Sequence, residues 1–88
     1  MSAVETAEMV LQALAEGERA LPKGGNDMRA RDEVAQAIIG GLTANHGARY
    51  RVAGDAHIIR IHNISASCTG GRPAMLRAWA TKAKAQAA

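Results

Sequence analysis

The feature that most constrains this chain is a change in the spacing of its apolar residues, from three-and-four to alternate positions and back again within 88 residues. A helix and a half-buried strand need different periods, so the pattern demands helices at both ends and a sheet between them. Val4, Ala7, Val10, Leu11 and Leu14 form one helical stripe. Ser2 and Glu5 have the spacing of a capping box, which predicts a helix from the N-terminus to about Ala20. Gly17 weakens its last turn, and Leu21-Pro22-Lys23-Gly24-Gly25 reads as a loop. Asn26 or Asp27 is then placed to cap a second helix, whose stripe is Val34, Ala35, Ile38, Ile39 and Leu42 and whose stop is Asn45-His46-Gly47. Asp27 with Arg31, and Arg29 with Glu33, are four apart on its solvated side.

From Ala48 the period is 2. Ala48, Tyr50 and Val52 alternate with Arg49 and Arg51, Ala53-Gly54-Asp55-Ala56 makes a turn, and His57 to Ile61 is a second strand. The alternation slips at His62-Asn63, after which Ile64, Ala66 and Cys68 take the inward parity. A tight turn there predicts a third strand from Ile64 to Thr69, and a bulge in one long strand is the alternative. Gly70-Gly71 ends the sheet, and Pro73 opens a third helix near Arg72. In that helix Met75, Leu76, Trp79, Ala80 and Ala83 face the core while Arg77, Lys82 and Lys84 face water. The expected fold is a single small α+β domain over residues 1–88, ordered ααβββα, with a three-stranded antiparallel meander.

Parity then sorts the sheet into two faces. Tyr50, Val52, Ile59, Ile61, Ile64, Ala66 and Cys68 belong under the helices. The other face presents Arg49, Arg51, Ile58, Arg60, Ser65 and Ser67, with His62 at its rim. Charge sharpens this picture: Met1 to Glu33 carries a net charge of −3, Val34 to Ala88 a net charge of +6. The large apolar residues are few and Phe is absent, so burial stabilises the domain modestly and a homodimer would cover more surface.

Little in the sequence points to catalysis. Cys68, the one cysteine, has core parity and behaves as a small hydrophobe, with no partner for a disulfide, so a reducing, cytoplasmic setting is expected. His46, His57, His62 and Cys68 lack the paired spacing of a metal site, and the carboxylates sit at solvated helix positions or, for Asp55, in a turn. No metal, cofactor or catalytic residue is therefore assigned. The segment Met1 to Val10 carries Glu5 and Glu8 without a basic start, and no apolar run approaches the roughly 18 residues of a span, so neither secretion nor membrane insertion is expected.

Two binding features remain. Thr69, Gly70, Gly71 and Arg72 pass from a strand into a helix N-terminus, where free N–H groups and the arginine would suit an anion, although the segment lacks the lysine and glycine spacing of a P-loop. Arg49, Arg51, Ile58, Arg60 and His62 form the larger candidate surface. Nucleic acid is one expected partner for so basic a face. Both aromatics, Tyr50 and Trp79, sit at core parity, however, and leave no stacking platform for bases. An acidic protein surface or a ribonucleoprotein fits with fewer missing parts, because arginine anchors such contacts. The expectation is a small regulator or inhibitor that acts by binding. Accessory proteins of phages and mobile elements, anti-CRISPR inhibitors among them, are of this kind.

Overall fold

The computed structural model describes residues 2–21 and 28–87. Its order is α1 (Ala3–Arg19), α2 (Met28–His46), β1 (Arg49–Ala53), β2 (Ala56–Ile61), β3 (Ile64–Cys68) and α3 (Arg72–Ala87). The fold is mixed α+β, ααβββα, as the change of period requires. The caps expected at Asn26 or Asp27, and the Asp27–Arg31 pair, lie outside the described residues.

Local chemistry accounts for most element ends. Ser2 caps α1: its hydroxyl accepts from the Glu5 N–H at 3.2 Å, and the Glu5 carboxylate reaches back to the Ser2 N–H. Gly47 takes φ +66°, which lets α2 stop and turn while the Ala48 N–H donates to the Leu42 carbonyl. The chain then runs up β1, turns at Gly54 with φ +61°, and turns again at His62 and Asn63 with φ 53° and 63°. Positive φ at both central residues is the hairpin turn whose twist matches that of the strands. Three strands are therefore present, and the bulged single strand is not.

The sheet order is β1-β2-β3, antiparallel throughout. Helix α3 packs on β3 and to a lesser extent on β2, while α1 packs on the other side of α3. Met75, Leu76, Trp79, Ala80 and Ala83 are all fully enclosed, and the Trp79 indole N–H donates to the Ile64 carbonyl at 2.9 Å. One hydrophobic cluster joins these to Ala7, Val10 and Leu14 of α1, Ala35, Ile39 and Leu42 of α2, and Ile59, Ile61, Ile64 and Ala66 of the sheet. Cys68 and Tyr50 are only half-buried at its margin.

Val52 departs from its expected place. It has the parity of the covered face but is 51% exposed, because α3 lies over β3 and β2 and leaves the far end of β1 bare. Parity decides which face a side chain joins, and the placement of the helix decides whether that face is covered.

Gly17 also has a role that helix propensity does not convey. A Cβ built there would stand 2.4 Å from Cγ1 of Val34, so the missing side chain is what lets α1 and α2 approach. Val34 is β-branched and yields poorly. Alanine is the better helix former by about 1 kcal/mol, yet Gly17→Ala should lower stability by about 1–2 kcal/mol through overpacking. Adding Val34→Ala should recover most of that loss, which urea unfolding of the single and double variants would measure.

Candidate functional site

The face opposite the helices is built by the register of three strands. Arg49 lies directly across from Arg60, which lies across from Ser65; one row along, Arg51 lies across from Ile58, which lies across from Ser67. All three arginines and both serines are exposed, and Ile58 is half-buried between them. The candidate residues Arg49, Arg51, Ile58 and Arg60 are thus brought together on one open surface. With Tyr50 and Ser65 they line a shallow depression of about 330 Å³.

Electrostatically the arrangement is unusual. Like charges set directly opposite each other on neighbouring strands destabilise a sheet, and here Arg49 faces Arg60 in the register. None of the three arginines has an ion-pair or hydrogen-bond partner among the described residues. The other arginines of the C-terminal half are used differently. Arg77 pairs with Glu18, and Arg72 with Asp32, joining α3 to α1 and to α2 respectively. Among the described residues the carboxylates that pair with arginine, Glu18 and Asp32, are on the helices, and the sheet arginines are left uncompensated.

His62 lies exposed at the rim of the open face and also reaches away from it. The turn directs its ring toward α1, where Nε2 lies 3.0 Å from Oγ1 of Thr6. That hydroxyl, on a fully buried residue, has one hydrogen and stands 3.0 Å from the Ser2 carbonyl. It donates to the carbonyl, so Nε2 of His62 carries the proton and donates to Thr6. The ring also meets His46 edge-on, at 6.4 Å between centroids. His62 is therefore a strut between the β2–β3 turn and the first turn of α1. The same residue borders a second depression, about 470 Å³, with His46, Arg49, Arg60 and Asn63.

The anion site expected at Thr69, Gly70, Gly71 and Arg72 also changes character. Nη1 of Arg72 contacts both oxygens of Asp32, at 2.9 and 2.7 Å, and the guanidinium lies over the Tyr50 ring at 5.6 Å. The Gly70 N–H donates to Sγ of Cys68 at 3.3 Å, and the Gly71 carbonyl accepts from the Met75 N–H. Thr69 is exposed beside them. With its arginine engaged by a carboxylate of α2, this segment is also a joint between β3, α3 and α2.

Elsewhere the chemistry is sparse. The Tyr50 hydroxyl shares a 2.7 Å hydrogen bond with Nδ1 of His57 on the covered side of the sheet. Among the described residues no group of three or more His, Cys, Asp or Glu could hold a metal ion. No helix among them is long and apolar enough to cross a membrane. The contacts of Thr6, Asp32, Glu18 and Lys82 with distant partners had no local signal in the sequence. Neither protein-family models, nor curated proteins, nor solved structures match this chain.

Two outcomes follow from these charges. Replacing Arg49 and Arg60 together by Thr should raise stability by about 0.5–1 kcal/mol, since a β-branched polar pair replaces opposed cations; a fall in the denaturation midpoint would contradict this. The Arg72 guanidinium holds the Asp32 carboxyl below its ordinary value of 3.8, mainly by hydrogen bonding. The unfolded chain therefore takes up this proton first as pH falls. The pair's contribution is complete above pH 3.8 and is lost as pH drops through the lowered folded value. It is small, about 0.5 kcal/mol, because both side chains are partly exposed. Asp32→Asn should remove it at neutral pH and flatten that part of the acid-unfolding curve.

Proposed function

We propose that this chain is a small non-enzymatic binding protein, a regulator or inhibitor, that grips an acidic protein surface through Arg49, Arg51, Ile58 and Arg60. The observation that carries this reading is the uncompensated, directly opposed arginine pair on an exposed sheet face. A surface shaped for stability alone would not keep opposed cations without a carboxylate nearby. An anionic partner removes their repulsion on binding, and arginine supplies planar, multidentate contacts to carboxylates. Ile58, half-buried between Arg51 on β1 and Ser67 on β3, provides the apolar centre that protein interfaces use.

Protein is favoured over nucleic acid by the placement of the rings. Trp79 is fully enclosed, and the Tyr50 hydroxyl is engaged with His57 on the covered side, so no aromatic side chain of the open face offers a surface to a base. Ser65 and Ser67, beside the arginines on β3, are short side chains that keep that side of the face low, which suits a broad partner surface.

The test is a pull-down from nuclease-treated lysate, using the wild type and a variant with Arg49, Arg51 and Arg60 all changed to Ala. The expected result is a protein with an acidic surface, retained by the wild type and lost by the variant, with association slowed as salt rises. Binding instead to a random DNA duplex, weakening steeply with salt and with no protein retained, would overturn the reading in favour of phosphate contacts.

A further inference from the structure

The antiparallel register divides the backbone groups of β1 into two sets. A two-residue turn closes the β1–β2 hairpin, so Ala53 and Ala56 form a hydrogen-bonded pair, and such pairs recur at Arg51 with Ile58 and at Arg49 with Arg60. The N–H and C=O groups of Tyr50 and Val52 therefore point away from β2. The order β1-β2-β3 places no strand beside them, and nothing among the described residues hydrogen-bonds to them.

The other edge of the sheet is managed differently. By the same rule Ser65 and Ser67 point outward from β3. Nζ of Lys82 donates to the Ser65 carbonyl at 2.7 Å, and α3 packs along that strand. One edge is blocked by a lysine, a common protection against pairing, and the other is left open.

The side chains along the open edge say what would pair with it. Arg49 and Arg51 lie on its open-face side, and Val52, 51% exposed, lies on the other. We propose that β1 receives an extended segment of the partner protein as a fourth, antiparallel strand whose residues alternate acidic and apolar. This rests on the reading above and adds its mode. Residues of the added strand across from Tyr50 and Val52 supply the hydrogen bonds and apolar side chains, which cover Val52. Those across from Arg49 and Arg51 supply the carboxylates. A second copy of this chain is a poor occupant, because the antiparallel register that uses all four backbone groups sets Arg51 directly opposite its own copy.

The experiment titrates the full chain with a blocked Glu-Val-Glu-Val-Glu peptide, followed by calorimetry and amide hydrogen exchange. The Tyr50 and Val52 amides should slow about tenfold or more on binding. N-methylation of the two valines should weaken binding about tenfold, and N-methylation of the glutamates should leave it unchanged. Val52→Pro, which removes an outward N–H and no bond to β2, should match the loss seen with methylated valines; the peptide pair decides the matter even if that variant folds poorly. Equal binding of the two methylated peptides, or no binding of the parent peptide, overturns strand addition. If the triple arginine variant has nonetheless lost its acidic protein partner, the open-face reading stands without it; if that partner is also retained, both fall.

Discussion

Trp79 is enclosed on every side, and its indole N–H reaches the Ile64 carbonyl across 2.9 Å, which sets α3 on the β3 side of the sheet. The rest of the architecture depends on that placement. α3 packs extensively against both layers, against β3 and β2 of the sheet and against α1, and this is why Met75, Leu76, Ala80 and Ala83 are as fully buried as the tryptophan. A chain with so few large apolar residues has enough to cover one face of three strands. The second face must then remain in water, and the far end of β1 must remain bare.

From that single covered face comes the division of charge. Glu18 and Asp32 lie within reach of α3, so Arg77 and Arg72 become ties between helices. Arg49, Arg51 and Arg60 lie on the far side of the sheet, beyond reach of the helical carboxylates. The opposed pair at Arg49 and Arg60 is thus a consequence of register and layer order together. The two edges of the sheet differ for the same reason: α3 runs beside β3, where Lys82 can close it, and leaves β1 unattended.

Much of this was legible residue by residue. The capping box at Ser2 and Glu5, the stop at Gly47, the turn at Gly54 and the inward stripe of α3 each depend on neighbours within a few positions, and each is found where the pattern puts it. The tight turn at His62-Asn63 was readable from the slip in alternation, although both residues adopt the positive φ that glycine would take more readily. Partners far apart in the chain were not readable. Thr6 and His62 are 56 positions apart, Asp32 and Arg72 are 40, and Glu18 and Arg77 are 59. Nothing in a local window distinguishes an arginine that meets such a partner from one that does not.

The order of elements and the membership of each sheet face follow from the sequence, because backbone periodicity assigns them without knowledge of what packs where. Tertiary placement settled which of those positions are covered, paired or open. It exposed Val52 despite its inward parity, turned His62 into a strut, committed Arg72 to Asp32, and made Gly17 the contact point of two helices. Each of these turns on the distance between elements. A period of 2 or 3.6 carries direction along the chain and carries no distance across it.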